Sequence, residues 1–177
     1  MKKGLYYAVF KTGAGWMGIL GSDRGLQRTT LPKPTQAATR RSLGDIITGA
    51  TPSAEYHREI IKRFQDYFTG HPVSFPDRLD LSRATDFRRR VWEATRRIPY
   101  GETRSYAWVA AQLQQPGAAR AVGQALGKNP LPVIIPCHRV ITSNGCLGGF
   151  TGGLEMKRYL ISAEASIPAR HPVSHRD

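Results

Sequence analysis

The chain has little cysteine, little acid and no long apolar run. Its 177 residues hold two cysteines, Cys137 and Cys146, and five histidines scattered at 57, 71, 138, 171 and 175. Neither the cysteine spacing nor the histidine scatter matches a zinc site of usual pattern. A Cys137 to Cys146 disulfide is open on spacing, but a chain without export signals belongs in a reducing compartment, where thiols stay free. No apolar run approaches the roughly 20 residues that a membrane helix needs. The opening stretch MKKGLYYAVFKTGAGW is too short and polar for a signal peptide. The expectation is a protein of the prokaryotic cytoplasm, with a nuclear location as the alternative, and no membrane partner. Acid is the scarcer charge: 13 Asp and Glu face 26 Lys and Arg, a formal net charge of +13. That surplus suits a polyanion partner, although it also serves solubility.

What is present suffices for a globular protein of one domain or two small ones, since 40% of residues are hydrophobic. LYYAVFKT, GWMGILGS and GLQRTTLP, separated by glycine-rich or charged turns, predict an antiparallel meander. The weakly patterned 36–54 predicts loop with one helical turn. EYHREIIKRFQDYFTG puts Tyr56, Ile60, Phe64 and Phe68 at helical spacing and closes at Gly70, a good residue just past a helix end. VSFPDRLDL, with prolines at 72 and 76, predicts an edge strand. From Thr85 the pattern turns helical: TDFRRRVWEATRRIPYGE lines up Phe87, Val91, Ala94, Thr95 and Ile98 behind an N-cap at Thr85 or Asp86. SYAWVAAQL and AARAVGQALGKN, joined by a short glycine-containing turn, give a helix-turn-helix pattern. PLPVIIP reads as extended, SNGCLGGFTGG as a loop, and LEMKRYLISAEA as a closing helix with Met156, Leu160 and Ala163 inward. The polar, proline-containing 166–177 reads as a mobile tail.

The chemistry concentrates in Pro136 to Arg139. A thiol near its ordinary pKa is mostly protonated at pH 7, so a nucleophilic Cys137 needs a base or a positive field. His138 and Arg139 offer both. Neighbouring side chains on a strand point to opposite faces, so contact between Cys137 and His138 requires a turn or a bridging water. Glu164 on the closing helix is a candidate to orient His138; alone it would be an ordinary solvated carboxylate. A thiol that is only a small buried hydrophobe remains the alternative at this point.

These residues also carry a resemblance. IPCHRVI, followed by SNGCLGGFTGGLEMKRYLI and preceded by RSYAWVAAQLQQPGAARAVGQALGKNP, resembles the O6-alkylguanine-DNA alkyltransferases, the methylated-DNA–protein-cysteine methyltransferases. It covers almost all of 85–164, with its elements in the family's order. The resemblance implies an α+β chain: a small ribonuclease-H-like N-terminal domain over 1–84, a mostly helical DNA-binding and acceptor domain over 85–165, and a flexible tail at 166–177. It also implies direct reversal of damage, in which a cysteine irreversibly accepts the alkyl group of O6-alkylguanine, and of O4-alkylthymine, from double-stranded DNA. No cofactor and no metal are implied, and the absence of cysteine from the N-terminal part argues against the structural zinc of some relatives. A monomer in solution is expected, with cooperative assembly on DNA as a further option.

Residue by residue, Cys137 matches the acceptor, His138 the base acting through a water, and Glu164 its polarising partner. Tyr106 is similar to the tyrosine that donates to the leaving guanine, and Asn129 to the asparagine tying the recognition helix to the active-site turn. Arg120 matches the arginine that fills the gap left by a flipped base, with Ala119 and Gly123 among small neighbours that allow close approach to the minor groove. Gln115 and Ser143 resemble phosphate contacts. Pro132, Val140, Gly148, Phe150 and Thr151 would line the guanine pocket, Phe150 standing where many relatives carry tyrosine. Cys146 is expected to be a packed thiol. Three other readings compete: a lesion-sensing module without transfer, which would not need Cys137; a helix-turn-helix regulator, which would not need the histidine and glycine loop; and a cysteine hydrolase, which would turn over.

Overall fold

The computed structural model describes residues 4–165; the tail expected at 166–177 lies outside them. β1 (Leu5–Thr12), β2 (Gly15–Ser22) and β3 (Gly25–Thr29) form the antiparallel meander, and β4 (Thr51–Pro52) adds to β1 in parallel, giving the order β3-β2-β1-β4. Pro52 is tolerated there because β4 is an edge. β2 is buried on both faces. Phe10 and Met17 pair across the ladder toward α2 (Arg58–Tyr67), where Phe10 meets Phe64 with ring centroids 5.8 Å apart. Gly18 faces the other way, where a β-carbon would come within 2.7 Å of Leu43 on α1 (Gln36–Leu43).

Three expectations for this half need correction. Residues 36–43 form a full helix, capped by Thr35 accepting from the Ala38 N–H, and a 3-10 turn follows at Asp45–Gly49. Only Thr39 and Leu43 of α1 are buried, so the apolar period was too sparse to read. Tyr56 lies ahead of α2 and is 42% exposed, stacked on Tyr6, while Phe64 and Tyr67 form the buried face. Residues 73–81 form no strand; only Leu79 makes a bridge to Leu26, because the prolines remove the donors that a ladder needs. Gly70 does close α2, with φ +87°, as His71 N–H reaches the Asp66 carbonyl and Gly70 N–H that of Tyr67.

In the second half, α3 (Asp86–Arg96) is capped by Thr85, and its Trp92 donates to the Ala125 carbonyl at 3.0 Å. That bond ties α3 to α5 (Ala119–Leu126). α4 (Tyr106–Gln112) is capped by Ser105. The left-handed residue in the turn between α4 and α5 is Gln114, φ +59°, and not the glycine at 117. Two short strands, β5 (Arg104–Ser105) and β6 (Val140–Ile141), pair in parallel and set the start of α4 beside the residues after Cys137. The two halves meet where Thr29 donates through its N–H to Pro130 O and through its hydroxyl to Pro132 O.

PLPVIIP is not extended. It folds back, with Ile135 N–H on the Leu131 carbonyl at 2.8 Å and Val133 at φ +75°, a conformation that a β-branched residue adopts only when its surroundings impose it. α6 (Leu154–Ala165) buries Leu160, as expected, but its other buried residues are Lys157 and Glu164; Met156 and Ala163 are only half-buried.

Candidate active site

The turn out of PLPVIIP continues as a 3-10 turn over Cys137–Arg139, which aims three consecutive side chains in different directions. Cys137, 8% exposed, receives a hydrogen bond from Asn129 Nδ2 at 3.1 Å. The same amide nitrogen donates to Ile135 O at 2.8 Å, and Asn129 Oδ1 accepts from Leu131 N–H at 2.9 Å. Asn129 follows α5 directly, so one side chain fixes the thiol, the turn before it and the end of the helix. Burial pushes the Cys137 thiol up, opposed by the Asn129 hydrogen bond and the charge of Lys157. At rest it is therefore a neutral thiol.

His138 is fully buried and points the other way. Its Nε2 lies 2.7 Å from Glu164 Oε1, and its Nδ1 has no hydrogen-bond partner in the protein. With Glu164 ionised, Nε2 carries the proton and Nδ1 is the free acceptor, the tautomer a base toward Cys137 requires. Burial holds His138 below its ordinary pKa, against the pull of the Glu164 hydrogen bond. For Glu164, burial favours the neutral acid, but hydrogen bonds from His138 and Arg139 prevail and bring it down to about 2. Arg139 binds both carboxylate oxygens, Nε to Oε2 at 2.8 Å and Nη2 to Oε1 at 3.0 Å, and its third donor reaches the Ile98 carbonyl.

On the open side of the thiol is a cleft of about 580 Å³, bordered by Tyr106, Ala119, Arg120, Gly123, Phe150 and Thr151, with Gly148 at its edge and Cys137 at its base. Tyr106, the first residue of α4, donates to Gly149 O at 3.3 Å. Gly148 sits at φ +70°, where a β-carbon would stand 2.8 Å from the Tyr106 hydroxyl; only glycine fits there. Arg120 is exposed on the rim and forms no salt bridge among the described residues. Lys157 lies behind this wall, fully buried, its ammonium donating to the carbonyls of Val140 (2.6 Å), Leu147 and Gly149 (3.2 Å) and lying 3.5 Å from the Tyr106 hydroxyl. Burial lowers Lys157 to about 8, which leaves it charged at neutral pH.

The structure thus gathers Cys137, His138, Glu164, Asn129, Tyr106, Arg120, Ala119, Gly123, Gly148, Phe150 and Thr151. Pro132 and Val140 do not border the cleft: the Pro132 carbonyl is engaged by Thr29, and Val140 is fully buried where β6 pairs with Arg104 of β5. Gln115 and Ser143 are exposed on separate turns outside it. Cys146 is an exposed free thiol and not a packed one, since the turn after Thr142 carries it to the surface. Two participants were missed, Tyr67 and Lys157, and Arg139, expected as a positive field for Cys137, is engaged by Glu164 instead. Tyr67 donates to Glu164 Oε1 at 2.6 Å, and Lys157 holds the glycine loop. Lys157 stands one position from Met156, the residue expected inward, but nothing local marks Tyr67. Among the described residues no group of His, Cys, Asp and Glu could hold a metal ion.

Comparison with known proteins identifies the family. Residues 86–166 match the family model for the DNA-binding domain of 6-O-methylguanine DNA methyltransferase. A methylated-DNA–protein-cysteine methyltransferase of Mycobacterium bovis is 49% identical over 153 residues, covering 86% of this chain and 84% of its own. One from Methanosarcina acetivorans is 36% identical over 162 residues, 92% of this chain and 99% of its own. The crystal structure of Mycobacterium tuberculosis OGT in complex with DNA superposes with a TM-score of 0.78 at 39% identity, over 91% of this chain and 93% of that one. A thiol backed by a buried histidine–carboxylate pair, on a mixed α+β scaffold that such relatives share over most of their length, places this chain in the methylated-DNA–protein-cysteine methyltransferase family.

Proposed function

We propose that the protein repairs DNA by taking the alkyl group of O6-alkylguanine, and of O4-alkylthymine, onto Cys137 in one irreversible event. The observation that carries this reading is the placement of Cys137: its sulfur faces an open cleft, while His138 beside it is locked by Glu164 as a neutral base. The cleft falls within the roughly 300–1,000 Å³ of small-molecule sites, room for one base turned out of a duplex.

The thiol proton passes through a water to His138 Nδ1. The sulfur pair then attacks the alkyl carbon, the C–O bond breaks, and its electrons leave on the guanine. Tyr106 donates to that developing anion, and the buried Lys157 ammonium beside its hydroxyl favours the transfer. A thioether has no hydrolytic route back, so each molecule acts once.

In the same reading residues 1–84 form a ribonuclease-H-like unit and 85–165 the acceptor unit, with α4 and α5 as a helix-turn-helix. α5 enters the minor groove, its small residues Ala119 and Gly123 allowing close approach, and Arg120 replaces the extruded base. Gln115 and Ser143, on exposed turns, lie on phosphates. The protein works as a cytoplasmic monomer. The test is the intact mass after incubation with a duplex carrying one O6-methylguanine. A single methyl on the Cys137 peptide supports the reading, and tight binding by a reduced but unmodified protein would replace it with lesion sensing.

A further inference from the structure

Glu164 receives more hydrogen bonds than a triad needs. Oε1 accepts from Tyr67 at 2.6 Å, lies 2.7 Å from His138 Nε2, and accepts from Arg139 at 3.0 Å; Oε2 accepts from Arg139 at 2.8 Å and from Gly101 N–H at 3.2 Å. A carboxylate offers about four lone-pair directions, so these five contacts from four residues share a limited supply of charge. Arg139 and Gly101 are near His138 in the chain or the same half. Tyr67 comes from α2, more than seventy positions earlier, and its hydroxyl also lies 3.4 Å from His138 Nε2.

We infer that Tyr67 is a positioning residue of the alkyl-transfer site, its phenol fixing the Glu164 oxygen that orients His138, so that α2 completes the machinery built by the second half. This rests on the alkyl-transfer reading above. A tyrosine that only filled the core would need any acceptor for its hydroxyl, and water-accessible or backbone acceptors are the common solution. Tyr67, 2% exposed, instead spends its one donor on the oxygen that His138 uses.

The consequence is chemical. Each donor to Oε1 draws charge from the carboxylate and weakens its hold on an imidazolium. The charged groups facing His138 are Glu164 and Lys157 from α6 and Arg139 from its own turn, with Cys137 adjacent; the neutral phenol of Tyr67 faces it from α2, and that of Tyr100 faces the Glu164–Arg139 pair. Glu164 favours protonated His138, whereas Arg139 and Lys157 oppose it. Tyr67 tempers the one favourable group. It keeps Nδ1 an available acceptor to lower pH and holds the Nε2–H tautomer in line.

The experiment is single-turnover methyl transfer from an O6-methylguanine duplex across pH 5 to 9, for the wild type, Tyr67→Phe, and a protein with 3-fluorotyrosine at 67, a near-isosteric and stronger donor. Tyr67→Phe is expected to move the acid limb up by about half a unit and lower the plateau roughly three- to tenfold. Fluorotyrosine is expected to move the limb down and serves if the phenylalanine variant folds poorly. Affinity for the lesion duplex, measured with Cys137→Ser added, should not change. An acid limb that stays put in every folded variant overturns the proposal, even with a lower plateau, because packing loss alone does not retune a base. A wild type that takes no methyl overturns the transfer reading itself.

Discussion

Asn129 Nδ2 lies 3.1 Å from Cys137 Sγ while also holding the Ile135 carbonyl at 2.8 Å. One amide thus couples the thiol to the strained turn at Val133. Asn129→Ala should loosen the turn, leaving Leu131 N–H unpaired and Ile135 O with only the Cys137 N–H, at a cost of about 1–3 kcal/mol for the buried group left unsatisfied. The thiol also loses a donor that favours its charged form. The expected outcome is a lower melting temperature together with a slower methyl-transfer rate; an unchanged rate in the folded variant would separate Asn129 from the chemistry.

The two thiols should differ sharply toward an alkylating reagent. Cys146 is exposed, while Cys137 is buried and held as a neutral thiol. Iodoacetamide at pH 7 should label Cys146 first by at least about tenfold, because the thiolate is the reactive species. Peptide mapping over time checks this. Preferential labelling of Cys137 would mean a standing thiolate, contrary to the buried geometry.

Acid should weaken the fold through this site. Glu164 has a folded-state pKa of about 2, below the usual 4.5, so its contribution is present above about 4.5 and fades as pH falls toward 2. His138 is also held low by burial, so the unfolded chain takes up its proton first and stability begins to fall below about 6.5. Thermal melts between pH 7 and 3 should slope downward, and Glu164→Gln should lower stability at neutral pH while flattening the most acidic part of that slope.

Arg120 is exposed on the rim of the cleft and forms no salt bridge among the described residues. Arg120→Ala should reduce affinity for a lesion duplex by about 1–2 kcal/mol, roughly tenfold, and slow transfer from duplex DNA. Transfer from the free O6-methylguanine base, which needs no extrusion, should persist. Equal loss on both substrates would instead place Arg120 in the pocket chemistry.

Much of the scaffold was legible because local signals agreed with tertiary need. Thr85 caps the helix it precedes, Gly70 ends α2, and the glycine-containing turns at 13–15 and 23–25 set the meander. Cys137 and His138 were legible as a pair, and Glu164 as a candidate. The failures share a cause: partners far apart in sequence decided the outcome. α1 was hidden because β2 asks it for only two buried residues. PLPVIIP looked extended, yet hydrogen bonds from Asn129 and Thr29 bend it. Tyr67 lies outside the face read as Tyr56, Ile60, Phe64 and Phe68, and only the fold brings Glu164 to its hydroxyl.

Lys157 gathers the carbonyls of Val140, Leu147 and Gly149 under a loop with five glycines between 145 and 153. A segment of that composition would ordinarily be slack. Here a single interior cation acts as a keystone, so the wall of the cleft can be built almost without side chains and still keep its shape. The loop is thin enough to admit a bulky guest and stiff enough to hold it against the sulfur.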